Sequence, residues 1–395
     1  MPPEVFGTCD QEFSKVEKVF RKSFLDGWER EGASISIYHK GKLVVDLYGG
    51  YADKHSRIPW TKDTKTVVFS ASKAVGALIA AMLVDRGYIK YEDKISKFWP
   101  EFAQNGKSEI TFGWIMSHKA GLAVFDEHVT IEDAKCPKRM AAIIERTMPN
   151  WMPGTKSGYH AFSYGWLLDQ ICRRVDPKGR SVEHFIREEI NEKYDVDFVL
   201  GLAPDADMEI SRISLPDVKY QVKEIIYDPR VLLVIGILNL RRKRSLAYRI
   251  VRNHSWLRVK KNLCTFNNPE VLRVDQIACS GISTARDLGK IFALMLSEKL
   301  IKKEILDKFK RPEIVNGFDV VVGVPISKGY GFMYEKHPKK SGRWLYGHPG
   351  FGGTTVMVDP EDELVIAYVS NGLKTGMGEI TRTYRLLRNA ALDCV

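Results

Sequence analysis

Ser70 and Lys73 stand three residues apart at the head of the run Ser70-Ala71-Ser72-Lys73-Ala74-Val75-Gly76-Ala77-Leu78-Ile79-Ala80-Ala81-Met82-Leu83-Val84. On a helix, positions i and i+3 share a face, so this spacing sets a hydroxyl beside an amine. The rest of the run is small and apolar, with no polar stripe. It therefore predicts a helix buried on most sides, ending at Asp85-Arg86-Gly87. Burial disfavours the ammonium form of Lys73, which lets the amine act as a base near neutral pH and activate Ser70 as a nucleophile. Ser-x-x-Lys alone is a short pattern that arises by chance in a chain of 395 residues.

Two later segments give it company. The first contains Tyr159-His160-Ala161, inside the stretch from Trp151 to Trp166. The second is Gly347-His348-Pro349-Gly350-Phe351. Ile110-Thr111, Ser117-His118-Lys119-Ala120-Gly121-Leu122 and Ser280-Gly281-Ile282-Ser283-Thr284-Ala285-Arg286-Asp287-Leu288 support them. In this order the set resembles the serine β-lactamase and penicillin-binding protein superfamily over residues 10–390. The likeness is nearest to its esterase-like branch and to the β-lactamase domain-containing proteins of animals. It implies an α/β (α+β) fold of the β-lactamase/transpeptidase type, an antiparallel sheet flanked by helices with an inserted helix-rich region. It also implies Ser70 as the acyl-enzyme nucleophile, with Lys73 and Tyr159 as base. The backbone N–H groups of Ser70 and Phe351 would receive the oxyanion, and His348 and Gly350 would form the pocket wall. With Lys73 charged nearby, the Tyr159 phenolate is expected to be favoured, the two groups titrating as a coupled pair.

Departures from the family pattern narrow the substrate. The second motif, Tyr-x-Asn in the family, ends here in Ala161, which has no side-chain amide to offer. The third, usually Lys-Thr-Gly in β-lactamases and transpeptidases, reads His348-Pro349-Gly350, and Pro349 supplies neither a hydroxyl nor an N–H. A substrate carboxylate loses part of its clamp, so ester, thioester or uncharged amide hydrolysis is expected before β-lactam chemistry. Each residue also has a plainer reading. Lys73 could snorkel from a buried helix, Tyr159 could be a core tyrosine, His348 a strand-end histidine, and Trp151 and Trp166 core aromatics. The Gly-x-Ser-x-Gly elbow of α/β-hydrolases is absent.

The elements that must position these groups follow from periodicity. Residues 11–30 read as an amphipathic helix, and 33–39 and 42–48 as two strands around Lys40-Gly41. Near the other end, 329–334, 344–348, 354–359 and 363–370 read as strands and 379–393 as a helix. Thr284 with Asp287 marks a helix start. Strands at both ends and a helix-rich middle predict one sheet built from both termini. The expectation is a single domain over 10–390, with its α/β part from 10–66 and 275–395 and its helix-rich part at 67–274. A chain that is 44% hydrophobic is long enough to bury a large core. Six scattered cysteines lack metal-ligand spacing, and the acidic start carries no recognisable leader, so a cytoplasmic protein needing no cofactor or metal is expected.

One segment does not fit. Residues 229–269 contain seven Arg and three Lys but no acid, while the whole chain carries +11. Val231-Leu232-Leu233-Val234-Ile235-Gly236-Ile237-Leu238 opens it, too short to span a bilayer but suited to an interfacial helix. This basic insertion is read as either a solvated surface or a contact with an anionic membrane; nucleic acid is disfavoured because no motif accompanies the charge. The sequence as a whole reads as a serine hydrolase acting on a small-molecule ester or amide. The alternatives are a catalytically silent member serving as a membrane-binding or assembly scaffold, and a true β-lactamase or peptidase. A homo-oligomer is left open.

Overall fold

Nine strands hydrogen-bond into one antiparallel sheet. They are β1 (Val5–Cys9), β2 (Ala33–His39), β3 (Lys42–Gly49), β4 (Ile314–Phe318), β5 (Pro325–Gly329), β6 (Phe332–Lys336), β7 (Trp344–Pro349), β8 (Thr355–Asp359) and β9 (Leu364–Ser370). Their spatial order is β1-β3-β2-β9-β8-β7-β6-β5-β4, so the two ends of the chain meet where β9 pairs with β2. The structure, a computed structural model, describes residues 4–203, 210–239, 245–260 and 263–395.

The sheet is covered on both faces, and β9 shows why its sequence is apolar throughout. Leu364, Ile366 and Tyr368 point to one layer, and Val365, Ala367 and Val369 to the other, as a two-residue period requires. The first layer is helix α1 (Ser14–Leu25), whose Val16, Phe20 and Phe24 repeat every fourth residue, packed beside the C-terminal helix. The second layer contains α2 (Ser72–Asp85), α3 (Ser163–Val175) and α7 (Ala285–Leu296). Between α3 and α7 the chain also forms α4 (Val218–Tyr227), α5 (Arg230–Asn239) and α6 (Leu246–Asn253). The C-terminal helix α8 (Arg382–Leu392) returns to the face of α1.

Two local expectations are corrected. The first helix is shorter than 11–30 because the chain turns at Asp26-Gly27, with Gly27 at φ +64°. Residues 329–334 are not one strand: Tyr330 and Gly331 adopt φ +54° and +92° and turn β5 back as β6. Strands β1, β4 and β5 carry no strong alternation; β1 and β4 are the sheet's edges and are largely exposed.

Helix α2 is the buried helix that its composition predicts. Every residue from Ser72 to Leu83 is buried, and Gly87 at φ +74° closes it. Its small residues let neighbours approach closely: a Cβ on Gly76 would lie 3.2 Å from Ile277, Leu168 and Tyr164.

Candidate active site

Ser70 lies in the short 3₁₀ turn Phe69–Ala71 that leads into α2. Phe69 holds a left-handed φ of +47°, a sparsely populated conformation for an aromatic residue that presents Ser70 at the helix entrance. The strained turn is held from several sides. Val68 N donates to Gly281 O at 2.8 Å, Ser72 Oγ donates to Phe69 O at 2.6 Å, and the Phe69 ring packs on Phe266. Ser70 itself is only partly buried and faces a cleft of about 1760 Å³.

One turn along, Lys73 is fully buried. Its Nζ donates to Ala161 O at 2.8 Å and Ala278 O at 2.7 Å, and lies 3.4 Å from Ser70 Oγ. Burial with no carboxylate to compensate lowers its pKa to about 7. The two carbonyls engage both N–H groups of a neutral amine, which leaves the lone pair for Ser70.

Tyr159 is brought to the same place. The Lys73 Nζ sits 4.8 Å from the centre of its ring, and its hydroxyl shares a hydrogen bond with Ser70. The expectation of a favoured phenolate is corrected here. Burial pushes the phenol above its usual pKa, and the hydrogen bond to Ser70 opposes this only in part. Lys73 lies over the ring face, where its charge meets the π cloud. Tyr159 is therefore neutral at ordinary pH.

The segment carrying Tyr159 is braced by groups that sequence reading did not single out. Asp319 Oδ1 accepts from Tyr159 N at 3.0 Å and from the backbone N–H groups of Val321 and Val322. Its Oδ2 pairs with the buried Lys328 ammonium. His160 turns away from the cleft. Its Nδ1 donates to Gly158 O at 2.6 Å, its Nε2 accepts from Leu122 N at 3.0 Å, and burial lowers its pKa to about 4. Ala161, where the family pattern has Asn, contributes its main-chain oxygen to Lys73 instead. Backbone carbonyls such as those of Ala161 and Ala278 leave no trace in a sequence; the Asp319 contact joins segments 160 residues apart.

Strand β7 brings the third motif against the turn that holds Ser70. Gly350 is needed there: a Cβ would come within 2.7 Å of Val68 O. Phe351 follows, its ring 5.9 Å from that of Phe69, and lines the cleft with Ser70 and His348. His348 is buried, with its ring 5.9 Å from Tyr159. Its Nδ1 donates to Pro349 O at 2.7 Å, which leaves Nε2 as a bare acceptor, buried and unpartnered. Burial and the nearby Lys73 lower its pKa to about 3, so it is neutral and cannot replace a cationic carboxylate clamp.

Trp166 is core, whereas Trp151 is half-buried. Among the described residues, the side chains grouped closely enough to hold a metal are His337, Asp359 and Asp362. His337 Nδ1 already accepts from Lys339 N and Lys340 N, so its Nε2 carries the hydrogen; it lies 3.4 Å from Asp359 Oδ2 without a hydrogen bond between them. Asp362 is held by Lys340 and Arg343. This arrangement suits a structural pair better than a ligand set, and none of the three lines the cleft.

The model of one protein family, Beta-lactamase, matches residues 20–390. The chain belongs to that family. It is 29% identical over 412 residues to the esterase/beta-lactamase LipL of Mycobacterium tuberculosis, covering 98% of this chain and 89% of that protein. Among solved structures it is similar to a family VIII carboxylesterase (TM-score 0.85, 25% identity, 99% and 100% of the two chains covered). It is also similar to a penicillin-binding protein homolog from Caulobacter crescentus (TM-score 0.82, 28% identity, 99% and 100% covered). This family member is a serine hydrolase of the esterase-like branch, with the expected sheet and flanking helices.

Proposed function

We propose that this protein hydrolyses uncharged esters through an acyl-enzyme on Ser70. The observation that carries the reading is the state of Lys73: wholly buried, held by two carbonyls, with a pKa near 7, and beside Ser70 Oγ. Neutral Lys73 takes the Ser70 proton as Oγ attacks the ester carbonyl. The N–H groups of Ser70 and Phe351 receive the developing oxyanion. As the intermediate collapses and the C–O bond breaks, Tyr159 gives its proton to the departing alkoxide and regains one from Lys73. Water then attacks the acyl group, its proton returning to Ser70 through the same pair, and the acid leaves. A neutral Tyr159 suits this relay better than a phenolate would.

The substrate class follows from what the cleft lacks. Ala161 carries no amide, His348 is uncharged and Pro349 has no donor, so the motif positions beside Ser70 offer a carboxylate no clamp. The bases that line the wider cleft, among them Lys219, Arg258 and Lys336, belong to none of the three motifs. A short-chain activated ester should be turned over at least about a hundredfold faster, by kcat/KM, than a penicillin. Comparable turnover of the two would overturn the ester preference. The mechanism is tested by intact-mass spectrometry after a fluorophosphonate: the wild type should gain one adduct and Ser70→Ala none. Labelling that persists in Ser70→Ala would move the nucleophile elsewhere.

A further inference from the structure

Helix α4 is fastened by one face and leaves an apolar stripe on the other. Tyr220 Oη donates to Trp28 O at 2.8 Å, Lys223 Nζ to Asp26 O at 2.6 Å, and the Glu224 carboxylate accepts from Thr375 N at 2.9 Å. Opposite them, at i, i+4 and i+8, stand Val218, Val222 and Ile226, which are 62%, 47% and 79% exposed. A helix in contact with water ordinarily carries polar residues there. Leu232 and Leu233 of α5, packed next to α4, are 54% and 55% exposed.

Bases accompany this stripe. Arg230 is not available, because Asp228 and Glu379 hold its guanidinium. Lys219, on α4 next to Val218, is exposed and lines the cleft. Arg249 and Arg252, exposed on α6, belong to a helix that lines the same cleft through Ala247 and Val251, Arg249 pairing with Asp126 at 3.8 Å. Arg241, Arg242, Lys243, Arg244 and Lys261 of the same acid-free segment lie outside the described residues. Val218 and Leu233 line the mouth of the cleft that holds Ser70, as do Ala247 and Val251 of α6. No helix among the described residues is long and apolar enough to cross a membrane.

We propose that the exposed face of α4 and α5 docks on an anionic bilayer surface, with the cleft mouth turned toward lipid. Apolar side chains with an exposed lysine on the same helix match the layering of an interface, where the chains enter the acyl boundary and the base meets acidic headgroups. A second copy of the chain fits less well. A two-fold contact would set this face against itself, base against base.

The test is co-sedimentation of the full chain with phosphatidylcholine vesicles, with and without about 30% phosphatidylserine. The wild type is expected to pellet with the acidic vesicles at low ionic strength and less so in salt of about 0.5 M. Val222→Ser/Ile226→Ser/Leu232→Ser, whose sites lie outside the cleft lining, should lower partitioning at least about tenfold while leaving turnover of a soluble ester unchanged. Should that variant fail to fold, Ile226→Ser alone should still weaken binding. Wild type that ignores acidic vesicles, binds neutral ones equally well, or loses nothing in the variants overturns the proposal. So does self-association abolished by the same substitutions, which would give the face to a second copy. Ser70→Ala should bind like the wild type, so this result and that of the hydrolytic mechanism are read separately.

Discussion

At the scale of single residues, the chemistry turns on where two protons reside. In the proposed mechanism Lys73 must be neutral to accept the Ser70 proton, and its pKa of about 7 places that requirement within the working range. Lys73→Ala should lower kcat by about two orders of magnitude or more, and Tyr159→Phe by a similar factor. In the wild type, kcat/KM should fall as pH drops through about 7, because the amine then becomes protonated; Tyr159→Phe should keep that limb. A flat profile from pH 5 to 9 would remove Lys73 from the role of base. The same shift has a stability consequence of defined sign. Above pH 7 the unfolded chain holds a proton on Lys73 that the folded chain has released, so this group's contribution to stability rises with pH from about 7 toward 10.5.

At the scale of elements, the site depends on a buried ion pair beneath the loop that carries Tyr159. Asp319 holds three backbone N–H groups and the Lys328 ammonium, and both side chains are almost wholly removed from solvent. Asp319→Ala would leave the ammonium uncompensated, at a cost of about 3–5 kcal/mol, and release Tyr159 N. Lower denaturant midpoint and lower kcat are expected together, with KM for a small ester little changed. Unaltered kcat in a folded Asp319→Ala would mean that Tyr159 keeps its place without this support. What sequence could reveal at this scale depended on locality. Helix α2 was readable because an unbroken run of small and apolar residues, Ala74 to Val84, carries its pattern, and β2 and β3 because they alternate around one tight turn. The Asp319 brace, the Ala161 and Ala278 carbonyls and the turn at Tyr330 depend on tertiary placement, or on backbone atoms common to every residue. The phenolate expectation failed for a related reason. Proximity to Lys73 is legible from motifs, whereas the depth of burial that raises the phenol appears only once the cleft walls are assembled.

At the scale of the whole molecule, distant parts of the chain are tied together beneath the sheet by one polar cluster. The Glu29 carboxylate, fully buried, accepts from Tyr368 and Ser370 on β9 and pairs with Lys374 at 2.7 Å. It links the segment after α1 to the segment after β9, next to the β2–β9 pairing on which the single sheet depends. Desolvation lowers the pKa of Lys374, while Glu29, and more weakly Glu224, favour its charge. Glu29→Gln should therefore cost about 3–5 kcal/mol, because it removes the carboxylate in direct contact with a buried ammonium. Replacing both groups, as Glu29→Gln/Lys374→Met, should recover much of that loss, since no unpaired charge then remains. Scanning calorimetry of the two variants against the wild type distinguishes the cases. A single variant that melts with the wild type, or a double variant worse than both singles combined, would show that the cluster does not hold the two ends together.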